Sequence, residues 1–233
     1  MKNKLTVIAA IIVIASLVGT VHAAWYTVNN NPQFSSTVDW QADTWMEGTG
    51  SHSYYISGGN AYTYLTISGF NKWGNTEYEQ GTDPWATYGN LPYTVTANLP
   101  QRLIVRSTSS GSANWLYGRM NQYVEFWLTN GTHWAEAMII HDSEGIIMQP
   151  MALQNSYWAT QHSGGWYYVG YRHWDTSGWT YRETNLNQVF NLLASEFGCN
   201  LSDWTVSCIC VGVEGTSGTM SATWDYVIWD VGM

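Results

Sequence analysis

Tyr123-Val-Glu-Phe-Trp-Leu-Thr-Asn-Gly-Thr-His-Trp-Ala-Glu-Ala-Met-Ile-Ile140 contains two short aromatic and aliphatic runs, 123–128 and 135–140, parted by a polar loop. Runs of aromatic and β-branched residues bounded by Asn, Gly and Ser predict strands. In a strand, alternate side chains share a face. Glu125 therefore lies between Tyr123 and Trp127, and Glu136 in a row with Trp134, Met138 and Ile140. A carboxylate in an apolar row is costly unless it is paired, protonated or set in a wet cleft. Glu214, beside Gly212 and Cys210 at the end of the run 206–213, makes a third such acid. Three acids on three aromatic-rich strands point to a cleft.

The same pattern extends over the rest of the chain. Tyr62 to Ile67, Leu103 to Arg106, Trp166 to Arg172, Val206 to Val213 and Ala222 to Trp229 read as further strands. One segment has helical period: Leu186, Val189, Phe190, Leu193 and Phe197 form a stripe, with Thr184 or Asn185 as N-cap and Gly198 past the end. The expected architecture is an all-β antiparallel sandwich or jelly roll carrying one α-helix. Neither a repeat nor a linker divides residues 24–233, which are read as a single domain of a size common for sandwiches.

Lys2 and Lys4 precede an apolar run from Leu5 to Val18 and a small-residue exit at Gly19 to Ala24. That order predicts a secretory signal over residues 1–23 and an extracellular mature protein with no membrane attachment; the run is shorter than the roughly 20 residues that span a bilayer. Without it, six basic residues face seventeen acidic ones, a net charge of −11, and Lys72 is the only lysine. Nucleic acid is thereby a poor partner. The low charged fraction, 11%, suits an acidic medium.

Cys199, Cys208 and Cys210 allow one disulfide, expected between Cys199 and one of the other two. Cys-x-Cys in a strand without a histidine is not a common zinc pattern, so neither a metal nor a cofactor is expected. Asn130-Gly-Thr132 and Asn200-Leu-Ser202 are loop sequons, and His141-Asp142 is read as a loop pair. Fifteen Trp and sixteen Tyr exceed what a core of this size needs. Their faces suit the C–H faces of sugar rings.

These residues resemble glycoside hydrolase family 12, the compact jelly-roll endoglucanases. Val124 to Asn130 is similar to the family's acidic strand, and Trp134-Ala-Glu136-Ala-Met138-Ile-Ile140 to its Glu-x-Met-Ile-Trp strand. Gly145 to Pro150 resembles its Pro-bearing loop, and Gly165 to Arg172 the strand before its single helix. Val211-Gly-Val-Glu214-Gly215 resembles its Gly-x-Glu strand, Tyr26 to Asn31 its opening strand, and Ser68 to Gly74 its Tyr-Pro-Asn segment. The departures are Glu125 where the family has Asp, Ile140 where it has Trp, and Phe34 near an expected Trp.

The resemblance implies a concanavalin-like jelly roll of two antiparallel sheets and a retaining endo-β-1,4-glucanase acting on cellulose or related β-glucans. It implies Glu136 as nucleophile, Glu214 as acid/base and Glu125 as the acid assisting Glu136, with Met138, Trp127, Trp134, Asn30 and Pro150 at the sugar. A second register makes Glu125 the nucleophile. The protein is expected to act as a monomer. A non-catalytic carbohydrate-binding sandwich, a family 11-like xylanase and a structural surface protein are the competing classes.

Overall fold

A computed structural model describes residues 24–89, 91, 93–145, 153–162 and 166–232, with His162 by its backbone alone. The expected signal, 1–23, and Pro150 with most of its loop lie outside the described residues. Among the described residues fifteen strands follow in order: β1 (Trp25–Thr27), β2 (Gln41–Met46), β3 (Thr49–Ser57), β4 (Asn60–Ser68), β5 (Trp73–Thr82), β6 (Thr87–Tyr88), β7 (Val95–Thr96) and β8 (Gln101–Ala113). Then come β9 (Arg119–Thr129), β10 (Trp134–Gly145), β11 (Ser156–His162), β12 (Trp166–Arg172), β13 (Thr180–Asn185), β14 (Thr205–Thr216) and β15 (Gly218–Gly232). A helix, α1 (Leu186–Phe197), separates β13 from β14.

The strands form two stacked sheets, the expected jelly-roll sandwich. One runs β13-β8-β15-β4-β3, with β1 also on β15; the other runs β11-β12-β10-β9-β14-β5-β2, with β6 on β5 and β7 on β14. Among the described residues pairing is antiparallel except between β10 and β12, which run parallel. Among the described residues no helix is long and apolar enough to cross a membrane.

Strand β9 sits between β10 and β14 at the centre of the second sheet, and its alternation splits cleanly. Val124, Phe126 and Leu128 join the core between the sheets, while Tyr123, Glu125 and Trp127 face the other way. Phe126 meets Trp229 of β15 and Phe190 of α1 edge-on, at 5.4 and 6.0 Å between ring centroids, which ties both sheets and the helix together. The helix is capped as its sequence predicts. Asn185 accepts from the Asn187 N–H at 3.1 Å, and Gly198 takes the left-handed conformation at φ 70°. A cap of this kind is worth about 1 kcal/mol.

Two bulges change which way side chains point. On β14 the register slips between Val206 and Cys208, so Val206 faces the core while Cys208, Cys210, Gly212 and Glu214 face the opposite side. On β10 alternation carries His141 inward with Ala137 and Ile139, where it is buried and stacked on His173 at 5.3 Å, and the slip between Ile140 and Asp142 brings Ser143, opposite Asn121, onto the face of Ile140. His141-Asp142 is thus part of a strand, not a loop. The extra residue of a bulge also bends its strand.

The expected disulfide does not form, because the second sheet separates its halves. Cys199 packs on the core side, whereas the bulge turns Cys208 and Cys210 to the far side against Trp127, Trp134 and Trp166; all three cysteines are free.

Candidate active site

The far face of the second sheet is a cleft of about 700 Å³, within the range of pockets that take small ligands. Register explains its floor. Across β5, β14, β9 and β10 the paired residues are Asn75–Glu214–Asn121–Ser143, then Glu77–Gly212–Tyr123–Ile140, then Glu79–Cys210–Glu125–Met138, and finally Gly81–Cys208–Trp127–Glu136. Glu136 and Glu214 sit at opposite ends of the β9 stretch, and both line the one cleft.

Each carboxyl has its own surroundings. Glu214 accepts a 2.7 Å hydrogen bond from Asn121 Nδ2, and the Arg119 guanidinium lies 3.7 Å away. Ser143 donates to Asn121 Oδ1 at 3.0 Å, which aims the amide N–H at Glu214. Arg119 is itself held 4.5 Å from the Trp73 ring centroid. Glu136 receives the Trp166 indole N–H; burial, then the charges of Glu214 and Glu77, outweigh that bond and raise its pKa to about 8. Glu125 is buried, and burial followed by the Glu136 charge holds its pKa well above the usual carboxylate range. Its Oε1 has no partner among the described residues.

Sequence reading missed the acids of β5. Glu77 accepts from Tyr123 Oη at 2.7 Å and from Asn75 Nδ2, while Asn75 Oδ1 takes the Trp45 backbone N–H at 2.9 Å. Burial raises Glu77 to about 8 and Glu79 to about 11. The signal was present in Asn75-Thr-Glu77-Tyr-Glu79, a period-two polar row, but it stood outside any recognised motif. With Asp43 and Asp83, seven of the sixteen lining residues are acids and none is basic.

Gly212 makes the Tyr123–Glu77 bond possible. A Cβ there would stand 2.5 Å from the Thr76 carbonyl oxygen and 2.6 Å from the Glu77 Cβ. Gly212→Val is therefore expected to destabilise the fold by about 1–3 kcal/mol, the usual cost of overpacking, and to separate Tyr123 from Glu77. Urea unfolding measures the first effect, and an unchanged midpoint would contradict it.

Tryptophans flank the acids. Exposed Trp45 stands beside Trp73 in the lining at the β2–β5 side. Trp85, 71% exposed, meets Trp127 at 5.3 Å and Trp166 at 5.6 Å. Trp127 is nearly buried and braces Trp85, so Trp85 offers the larger free face. Trp134 is half-buried on the Trp127 cluster and does not line the cleft. Met138 differs from its expected place at the sugar: it is buried among Tyr123, Ile140 and Trp158 and takes the Tyr168 hydroxyl on its sulfur at 3.2 Å. Asn30 is also away from the cleft lining, because its backbone is bonded at 3.0 and 2.7 Å to Gln80, whose alternation on β5 points it away from Glu77 and Glu79.

No protein-family model matches the sequence, and no curated protein matches it. Solved structures do share the fold. Endoglucanase cel12A from Rhodothermus marinus superposes with a TM-score of 0.56 at 16% identity, over 82% of this chain and 96% of its own. The family 11 xylanase from Neocallimastix patriciarum gives 0.58 at 14%, over 92% and 98%. A metagenome-derived family 12 endoglucanase gives 0.55 at 16%, over 90% and 99%. The architecture is thus that of the family 12 and family 11 jelly rolls.

Proposed function

We propose that the protein is an exported, monomeric, retaining endo-β-1,4-glucanase, with Glu136 as nucleophile and Glu214 as acid/base. What supports this reading is that both glutamates line one tryptophan-flanked cleft, on a fold shared with endoglucanases. The Glu136 carboxylate attacks the anomeric carbon as the glycosidic C–O bond breaks, and Glu214 gives its proton to the departing oxygen. Glu214 then takes a proton from water, whose oxygen displaces Glu136 and restores the starting anomeric configuration. Glu125, held neutral by burial, donates its proton in a hydrogen bond to Glu136 once that group is ionised, as a buried neutral acid can. The Trp166 N–H adds a second donor.

A reversed assignment has two observations in its favour: burial raises Glu136 to about 8, as suits a proton donor, and Glu214 is held by donors. The donors around Glu214, Asn121 at 2.7 Å and Arg119 at 3.7 Å, are of the kind that would hold a nucleophilic carboxylate in place.

The acidic lining favours a neutral polymer over an anionic one. Purified protein should release reducing ends from barley β-glucan, and do so faster than from carboxymethyl cellulose at low salt, where like-charge repulsion is least screened. Cleavage of xylan in place of glucan would move the protein to the xylanase-like reading. Tight glucan binding without any cleavage would make it a binding module.

A further inference from the structure

The bulge on β14 has a second product. It brings Cys208 and Cys210 onto one face with their sulfurs 3.7 Å apart, and Glu79, opposite Cys210 on β5, places Oε2 3.8 Å from the Cys208 sulfur. One donor atom from each of the three residues lies within 4.8 Å of the other two, and all three side chains are buried. Zinc–sulfur bonds of about 2.3 Å at a tetrahedral angle put two sulfurs about 3.8 Å apart. The spacing of this pair already matches that edge.

On the other side of Cys210, across the sheet, stands Glu125, 94% buried by its 6% exposure and with Oε1 unpartnered among the described residues. An acceptor so placed calls for a donor that the protein does not supply. A metal-bound water in the fourth position would supply it. Glu79 and Glu125 both line the cleft, so an ion has a path to the thiols from the open side.

We propose that Cys208, Cys210 and Glu79 bind one thiophilic divalent cation of the zinc class, with a water completing its tetrahedron and donating to Glu125 Oε1. Two thiol protons and one carboxyl proton leave to solvent as the three metal–ligand bonds form. The ion would stiffen the floor beneath Trp127 and Trp166, which pack on the cysteines. Sequence spacing hid the site because its third ligand comes from a strand more than a hundred residues earlier.

The test uses Co2+ as probe on protein purified under reducing conditions and stripped with a chelator. One equivalent should produce thiolate-to-cobalt charge-transfer absorption, which one equivalent of Zn2+ abolishes. Cys208→Ser and Cys210→Ser should each lose the band, and Cys199→Ser should keep it. Alkylation mapped by mass spectrometry tests the wild-type chain without any variant: Zn2+ should protect Cys208 and Cys210, and leave Cys199 as reactive as before. Equal alkylation with and without Zn2+, a band that survives in both serine variants, or a Cys208–Cys210 disulfide in protein prepared without reductant that refuses metal after reduction would each overturn the proposal. None of these readouts depends on glucanase activity.

Discussion

Glu136→Ala abolishes turnover on every substrate tested, whereas Glu214→Ala spares substrates with a good leaving group: that asymmetry is the expected signature of the two roles. A nucleophile is needed whatever departs, so its loss should cost on the order of 10⁵-fold or more, as removal of a nucleophile does elsewhere. General acid catalysis contributes roughly 10²–10⁴-fold, or about 3–5 kcal/mol of barrier, and only where the departing oxygen needs a proton. Aryl glycosides with acidic phenols should therefore be cleaved by Glu214→Ala at a rate close to that of the unmodified enzyme in the first step. Azide separates the roles by stereochemistry. In Glu136→Ala it attacks the substrate directly and yields the inverted glycosyl azide; in Glu214→Ala it attacks the covalent intermediate and yields the retained one.

Trapping makes the assignment chemical. An activated 2-deoxy-2-fluoro glycoside should label a single peptide, at Glu136. A label on Glu214 would establish the reversed assignment that Asn121 and Arg119 favour, and a label on Glu125 the alternative register. An inverted product from the unmodified enzyme would exclude a covalent intermediate altogether.

How much of this was legible beforehand differs between local and long-range features. The helix was readable residue by residue, since its stripe and both caps lie within fourteen positions. The face of Glu136 was readable too, because period-two alternation needs only its neighbours. Strand alternation does not reveal who sits across the sheet. Glu77 reaches the site through Tyr123 Oη, 46 positions away, and Glu79 through Cys208, 129 positions away. Bulges defeat the alternation itself: one extra residue at Ser207 puts Val206 and Cys208 on opposite faces, although both are even-numbered. That slip separates Cys199 from its expected partners. Met138 shows the remaining limit, because it shares a face with Glu136 and is nonetheless covered by Trp158 and Tyr168.

The unfolding midpoint of chelator-treated protein should peak near pH 4.5 and fall on both sides. Glu77, Glu79 and Glu136 rise from 4.5 to about 8, 11 and 8, and Glu125 rises well above 4.5, all chiefly through burial. For a carboxyl raised on folding, the folded state binds the extra proton, so its stabilisation is complete below the unfolded pKa and is lost as pH rises through the folded one. Buried His141 and half-buried His173 act in the opposite sense. Burial lowers His173 from 6.5 to about 3 and His141 well below 6.5, so their contribution is present above pH 6.5 and is lost as pH falls. Between pH 4.5 and 6.5 these four carboxyls, joined by Asp83, Asp142 and Glu144, which burial also raises, oppose two histidines, a net of at least two protons, which corresponds to a loss of about 3 kcal/mol or more per pH unit. Above 6.5 the histidines no longer titrate and the fall steepens; below 4.5 only Asp83 and Asp142, raised from 3.8, still oppose the histidines, and below 3.8 the histidines alone remain and the sign reverses. Glu77→Gln removes one of the four carboxyls and should flatten the alkaline limb by about one proton. A midpoint that climbs from pH 4.5 to 8 would show that these carboxyls are ionised in the folded protein, and would remove the neutral Glu125 on which the assisted nucleophile depends.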